Sequence, residues 1–390
     1  MTTQRSYNAP PGTPSGIGPQ VVTTYYQKQA LIEARKEQFF SQLADVTAMP
    51  KNMGKSITQY LYLPLLDDQN VNDQGIDAAG ATIANGNLYG SSKDIGTINA
   101  KMPLLGEAGG RVNRVGFKRK TITGSLEKFG FFQEYTQESL DFDTDAELEQ
   151  HVNREMVNGA TEMTEDALQI DLITSAGVVR YAGNATSTIT VGADDVVSYK
   201  DLMHLSIDLD NNRCPKGTTV ITGTRMIDTR TIPAARAMFI GSELLPTLRA
   251  MKDLHNNPAF IPVQSYAAGG TVLNGEVGCI DNFRLVVAPE MTKIAGGGAD
   301  ASATATHYET ADKYDVFPML VVGDSSFTTI GFQTDGKSVK FVINNQKPGA
   351  ESISAADPYG ESGLMSIKWY YGFMALRPER IAILKTSATL

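Results

Sequence analysis

The chain is 390 residues long, a length at which folding buries about three-quarters of the surface that the unfolded chain exposes, so a stable core needs no disulfides. Its two cysteines, Cys214 and Cys279, have neither CxxC spacing nor a nearby histidine pattern, which argues against a disulfide framework or a zinc motif. The formal net charge of −9 argues against a protein that a general basic field holds on nucleic acid.

The N-terminal segment, residues 1–20, is polar and rich in proline and glycine. It has no apolar run typical of a signal peptide or anchor, and no later segment reaches membrane-spanning length, so we expect a soluble protein made in the cytoplasm. Because such a tail cannot bury enough apolar surface to offset its ordering entropy, we expect a neighbouring subunit to hold it. From Tyr25 to about Val46, apolar residues at three- and four-residue spacing predict a helix.

The stretch between Pro50 and Gly116 contains short apolar pieces separated by Asn, Asp and Gly. A poorly periodic stretch of this length is uncommon inside a compact domain, so it predicts an extended arm or hairpin loop. β-Branched and aromatic residues then predict strands over roughly Arg114–Glu138.

The clearest element is a long helix that ends at about Ser175. Asp143 or Thr144 is a suitable N-cap, and Asp145 and Glu147 in the first turn complement the helix dipole. Apolar residues at three- and four-residue spacing predict a structural spine that is buried along one side. This predicted stripe consists of Leu148, Val152, Met156, Ala160, Met163, Ala167 and Ile170.

The remaining sequence predicts a mixed α/β region. A small β segment follows Gly177, and helices are predicted over Tyr199–Leu209 and Leu244–Leu254, where Pro246 suits a first turn. The aromatic run that contains the sole tryptophan, Trp369, predicts core packing rather than a binding platform. Strands are predicted at Thr218–Thr222, Phe283–Ala288, Met319–Val322, Phe327–Phe332, Leu364–Leu376 and Ile381–Lys385.

Residues Gly331 to Ser338 match the phosphate-binding pattern GxxxxGK[ST]. A working phosphate loop needs a helix that begins at the Lys-Ser pair, because the free N–H groups of the helix hold the phosphates. The next residues, Val339 to Ile343, instead alternate as a strand, and Asp335-Gly336 favours a hairpin turn. A nucleotide hydrolase that uses Lys337 therefore remains only an alternative.

Other motifs for chemistry are incomplete. Two acidic sets imitate the first calcium-loop ligands but lack the glycine and glutamate that complete the loop, so we interpret them as a helix cap and a solvated helix end. The histidines show no metal-ligand spacing, and no GxSxG elbow supplies a nucleophile. We predict no catalytic residue, no metal site and no cofactor. The acidic sets are Asp141, Asp143 and Asp145, and Asp208, Asp210 and Asn212; the histidines are His151, His204, His255 and His307.

The order of the predicted elements resembles the Hong Kong 97-type capsid fold over nearly the whole chain. Three segments are also similar to major capsid proteins of schitovirus-type phages. They are GEVGCIDNFRLVVAPEM at 275–291, FPMLVVGDSSFTTIGFQ at 317–333 and IKWYYGFMALRPERIAILK at 367–385. The resemblance implies a head protein that forms pentamers and hexamers in an icosahedral shell enclosing double-stranded DNA, without sequence-specific binding of that DNA.

The resemblance also implies an α+β fold with a fixed division of the chain. We expect an N-terminal arm at 1–50, an extended loop at 51–130, a peripheral domain with the spine helix at 131–196, an axial domain at 197–330 and return strands of the peripheral domain at 331–390. Expected partners are further copies of the chain, a separate scaffolding protein, a portal protein and, where the phage has one, a decoration protein. The alternative within this fold is an encapsulin-type cellular compartment.

One dense basic patch stands out in this acidic chain. It lies on or beside a predicted strand, and the simplest alternative to an interface is a solvated strand face. We rank pairing with an acidic patch of a neighbouring copy above contact with DNA. These candidate subunit-interface residues are Arg111, Arg114, Lys118, Arg119 and Lys120.

Overall fold

In the computed structural model, the chain divides into two compact units. One unit is formed by residues 1–55 with 125–390 and the other by residues 56–124. It describes residues 39–43, 45–50, 52, 54–62, 119–142, 148–221, 229–232, 235–267, 272–301, 306–332, 341–350, 352–353 and 357–390. The fold is α+β, as predicted.

The helices and strands are numbered in chain order. The α-helices are α1 (Gln137–Phe142), α2 (Leu148–Thr174), α3 (Tyr199–Asn211) and α4 (Leu245–Ala250). The strands are β1 (Asp45–Met49), β2 (Ser56–Tyr62), β3 (Arg119–Ser125), β4 (Glu127–Thr136), β5 (Val178–Tyr181), β6 (Thr218–Ile221), β7 (Thr229–Ile232), β8 (Arg236–Ile240), β9 (Ile261–Pro262), β10 (Glu276–Ile280), β11 (Phe283–Val287), β12 (Glu309–Thr310), β13 (Lys313–Tyr314), β14 (Phe317–Val322), β15 (Phe327–Phe332), β16 (Val342–Gln346), β17 (Ser362–Tyr371), β18 (Phe373–Ala375) and β19 (Ile381–Thr386).

A seven-stranded sheet of order β5-β19-β14-β8-β11-β10-β9 forms the centre of the larger unit. Strands β8, β14 and β19 are buried on both faces, which explains their nearly continuous apolar sequences. Phe239 of β8 belongs to one core cluster, and its neighbour Met238 belongs to the other. Successive side chains of a strand point to opposite faces, so one sheet separates two cores.

Helices α2 and α3 contribute to different cores. Leu202, Leu205 and Leu209 of α3 are fully buried in the cluster that contains Met238. Ser198 caps α3 by accepting a hydrogen bond from the amide of Asp201, which begins this helix at the predicted residue. Helix α2 instead supplies residues to the cluster that contains Phe239.

The predicted spine is confirmed as α2, which is 27 residues long. Met156 and Ala160 are buried as predicted, but Met163 and Ile170 are 53% and 57% exposed, so this part of the predicted stripe is wrong. The buried line continues with four-residue steps and includes Leu168 and Leu172 in its second half. The predicted cap and first-turn residues at 143–147 lie outside the described residues.

A three-stranded sheet of order β16-β17-β4 contributes to the same core as α2. The inward residues of β17 alternate along the strand and include Trp369, which is 2% exposed. Its ring lies near the rings of Phe129, Phe131 and Phe341, with centroid distances of 6.1, 6.0 and 5.8 Å. The prediction that Trp369 is a core residue is therefore confirmed.

The predicted helix from Tyr25 to Val46 is wrong in its described part. Residues Ser41–Leu43 form a single 3-10 turn, and β1 follows it. Strand β1 pairs in parallel with β15, more than 280 residues later in the chain, with Asp45 opposite Thr328. Sequence periodicity does not detect such a distant partner, and tertiary pairing here overrides the local helical pattern.

Three other predicted elements differ from the structure. The predicted strand to Glu138 ends at Thr136, because helix α1 begins at Gln137. The predicted helix to Leu254 ends at Ala250, where the Asp253 side chain accepts hydrogen bonds from the amides of His255 and Asn257 and so competes with helix formation. The β segment after Gly177 contains strand β5 and then a 3-10 turn.

The predicted hairpin at Asp335-Gly336 has its turn outside the described residues. The strands on either side of it, β15 and β16, are present but belong to different sheets. Strand β15 lies between β1 and β18, and β16 pairs with β17. The described parts of β15 and β16 therefore do not pair with each other, and the turn at Asp335-Gly336 stays a prediction.

Candidate subunit interface

The predicted basic patch lies partly on the smaller unit, where β2 and β3 form a two-stranded ribbon. Arg119 and Lys120 are exposed on β3, whereas the other three predicted residues lie outside the described ranges. The Arg119 guanidinium lies 4.0 Å from the ring centroid of Tyr60 on β2. Tyr60 and Tyr62 are themselves more than half exposed, so the ribbon presents aromatic and cationic groups together.

The predicted solvated end of α3 is confirmed for Asp210, which is exposed, but Asp208 and Asp210 also pair with arginines. Asp208 forms an ion pair with Arg180, and Asp210 accepts a hydrogen bond from the Nη2 of Arg236 at 2.6 Å. Arg236 is fully buried, and it also donates to the carbonyl oxygens of Cys214 and Pro215. Although desolvation opposes the change, hydrogen bonds from Arg236 and Lys216 lower the pKa of Asp210. Asp210 is therefore the counter-ion of a buried cation.

Residues 39–43 are called the arm root here, after the predicted N-terminal arm at 1–50. They contact helix α2 at Glu165, a half-buried acid that the sequence did not suggest. The Oε2 of Glu165 on α2 accepts a hydrogen bond from the amide of Phe40 at 3.0 Å. Burial raises the pKa of Glu165, against the opposing effect of hydrogen bonds from Ser41 and the nearby backbone. The Phe40 ring is 5% exposed and its centroid lies 4.7 Å from that of Phe239. This contact attaches the arm root to the spine helix.

The acidic and histidine residues singled out in the sequence do not form a metal-binding cluster in the part of the chain that the structure describes. Within the described ranges, no group of three or more His, Cys, Asp or Glu side chains is arranged to hold a metal ion. Asp141 lies in α1 and accepts a hydrogen bond from Gln137, while Asp143 and Asp145 lie outside the described residues. Cys214 and Cys279 are both free thiols.

The histidines occupy separate places in the fold. His204 and His255 are exposed, and His307 is buried with its Nδ1 2.9 Å from the hydroxyl of Thr306. His151 lies on α2 and is half-buried.

None of the helices described in the structure is both long enough and apolar enough to cross a membrane.

Comparison with known proteins identifies the family. A family model described as phage capsid protein matches residues 119–386. The chain is also 63% identical over 386 residues to the major capsid protein of Pseudomonas phage KPP21, covering 98% of this chain and 97% of that one. This chain belongs to the phage capsid protein family. It is a structural protein of the virion head.

Solved phage capsids share the fold of this capsid protein. The capsid of Ralstonia phage GP4 matches with a TM-score of 0.63 at 11% identity, covering 97% of this chain and 98% of that chain. The capsid of cyanophage Pam1 matches with a TM-score of 0.55 at 10% identity, covering 94% and 97% of the two chains. The Hong Kong 97-type fold predicted from the order of elements is thereby confirmed.

Proposed function

We propose that this capsid protein is the major shell subunit of a tailed phage and assembles as pentamers and hexamers into an icosahedral head around double-stranded DNA. The observation that carries the proposal is the 63% identity to the major capsid protein of Pseudomonas phage KPP21 over nearly the full length of both chains. A shell that contains DNA without gripping it is compatible with the net charge of −9.

The proposal includes a set of partners and a division of the chain. Scaffolding and portal proteins, and a decoration protein where the phage has one, would contact the shell that the subunits build in the host cytoplasm. The proposed extended loop at 51–130 is supported by the separate clustering of residues 56–124 and by the pairing of β2 with β3 at the two ends of that range. The proposed axial domain at 197–330 contains β8, β11 and β14, which lie side by side in one sheet. Strand β19, which the division assigns to the return strands at 331–390, pairs with β14 in the same sheet.

We propose that the basic ribbon is an interface with another copy of the chain. Arg119 and Lys120 are exposed beside Tyr60 and Tyr62, and tyrosine and arginine are enriched at the centres of protein interfaces. In an acidic protein, the complementary surface is available on every other copy.

Reversal of this charge should weaken assembly. We expect the double substitution Arg119→Glu and Lys120→Glu to leave the thermal unfolding of the subunit unchanged but to reduce shell yield strongly, measured by sedimentation. The matched control, Lys200→Glu with Lys252→Glu, makes an equal change in net charge at two other exposed positions. Equal shell yields for the two double variants would contradict the interface.

A structural role without nucleotide hydrolysis is also part of the proposal. The phosphate-loop match begins in β15, and its residues from 333 to 338 lie outside the described residues. The next described element is the strand β16 rather than a helix. We expect equilibrium dialysis with labelled ATP to show no saturable binding. Micromolar binding that the substitution Lys337→Ala abolishes would contradict this prediction.

Negative-stain electron microscopy of the purified protein, expressed alone and with its scaffolding protein, tests the proposal. We expect shells or rings of capsomer size in at least one preparation. Small, uniform particles in both preparations, at concentrations that support assembly of related capsid proteins, would contradict it.

A further inference from the structure

On one side, the arm root is held by hydrogen bonds to the carboxyl group of Glu165 on α2. Besides the Phe40 amide, the Glu165 carboxyl receives hydrogen bonds from the Ser41 hydroxyl and from the backbone of Phe39 and Ser41. These backbone donors precede or begin the 3-10 turn Ser41–Leu43, where N–H groups lack partners within the turn. Glu165 therefore acts as a cap that is supplied by a helix 125 residues away in sequence.

The other side of the arm root is held by the turn at 273–276. The Oε1 of Gln42 accepts a hydrogen bond from the Asn274 amide at 3.0 Å, and its Nε2 donates to the Asn274 carbonyl at 3.4 Å. The same Nε2 also donates to the Phe39 carbonyl at 2.7 Å. The Gln42 side chain thus pairs with the backbone of Asn274 in the way that a neighbouring strand would.

Gly275 shows how closely the arm root approaches this turn. Its φ is +73°, and a Cβ at this position would lie 2.5 Å from Cε1 of the Phe39 ring. A larger residue at Gly275 would therefore meet both backbone strain and a clash with the ring. The position of Phe39 and the conformation of the turn depend on each other.

The same turn is connected to a second loop through a buried acid. The Oε2 of Glu276 accepts a hydrogen bond from the Leu273 amide at 2.8 Å, and its Oε1 accepts one from the Tyr266 hydroxyl at 2.5 Å. Arg284 lies 3.4 Å from the same carboxylate, whose side chain is fully buried. The turn is therefore shared between the arm root and the loop that carries Tyr266.

We propose that Glu165 and Gln42 are positioning residues that hold the arm root as a latch and couple its position to the turn at 273–276 and the Tyr266 loop. A five-residue segment with only one 3-10 turn has little local structure to offset its ordering entropy. The contacts with Glu165, Asn274 and Phe239 supply that stabilisation. Because both hydrogen bonds between Gln42 and Asn274 meet the backbone of the turn at 273–276, a shift of the arm root displaces that turn.

Hydrogen–deuterium exchange of the full-length, unassembled subunit tests the latch independently of the proposed shell function. We expect Glu165→Ala to accelerate exchange about tenfold in peptides covering 39–43, since a hydrogen bond to a charged group stabilises by about 1.5–3 kcal/mol. Exchange at 272–276 should rise as well. Glu165→Gln keeps a carbonyl acceptor and should retain most of the protection in both peptides.

The reciprocal variant tests the coupling. Gln42→Ala removes the pairing with Asn274 and should accelerate exchange at 272–276, at 39–43 and in the loop at 261–267. The matched control is Glu155→Ala, which removes an exposed carboxylate from the same helix as Glu165 and should change none of these peptides. The latch would be overturned if Glu165→Ala left 39–43 protected, or if each variant affected only the peptide that it contacts directly.

Discussion

Substitution of Met156 by aspartate should prevent the subunit from folding. Met156 is 3% exposed on α2 and packs in the core cluster that also contains Ala160 and Leu168. An unpaired ion in such a site costs several kcal/mol, even after local relaxation. Because native proteins are stable by only about 5–15 kcal/mol, this penalty removes most of the stability margin. We expect insoluble protein, measured as the soluble fraction after expression.

Met163 on the same helix provides the matched control. It is 53% exposed, so Met163→Asp places an identical new charge in contact with water. We expect this variant to be soluble and to unfold within a few degrees of the parent protein, because exposed substitutions usually change stability by less than about 0.5 kcal/mol. Equal solubility of the two aspartate variants would show that the buried face of α2 has been assigned wrongly.

Deletion of residues 2–24 should abolish stable shells and leave the subunit folded. This segment is rich in proline and glycine and has few large apolar side chains to add to the core of its own subunit. A contact made by such an arm recurs at every interface of a shell, where many weak contacts acting together stabilise the particle. We expect unchanged circular dichroism and melting temperature, with particles lost in sedimentation.

A second variant separates chain length from sequence in this experiment. Replacement of residues 2–24 by a glycine-serine linker of the same length keeps the reach of the arm but removes its side chains. We expect it to fail in assembly like the deletion. Normal shell yield from the deletion variant, or unfolding of its subunit, would contradict the proposed role of the arm.

The sequence predicted those elements whose local pattern and tertiary role agree. The strands that contain Met319 and Ile383 are apolar on both faces, and both are interior strands of the seven-stranded sheet. Helix α2 was predicted from its periodicity, but Met163 and Ile170 fit the same spacing as the buried residues and face solvent. Spacing alone does not decide between two adjacent lines on one helix.

Long-range pairings were not predictable in the same way. Phe39, Phe40 and Leu43 have helical spacing, yet Ser41–Leu43 forms only one 3-10 turn before β1 pairs with β15. The order of strands in the large sheet is not their order in the chain, and periodicity carries no information about it.

The candidate sites show the same limit. Arg119 and Lys120 were identified because basic residues are conspicuous in an acidic chain. Glu165 and Gln42 were missed because their partners are backbone groups 125 and 232 residues away, which leave no mark in the sequence. Arg236 was missed for a similar reason, since its counter-ion Asp210 was interpreted as part of a solvated helix end.

Cryo-electron microscopy of particles assembled from this chain tests the central claim most directly. We expect a closed icosahedral shell in which each subunit has the fold described above. The subunits should be arranged in rings of five and six copies, with the β2–β3 ribbon in contact with another copy. A shell in which this chain only decorates a lattice built by a different protein would contradict the account.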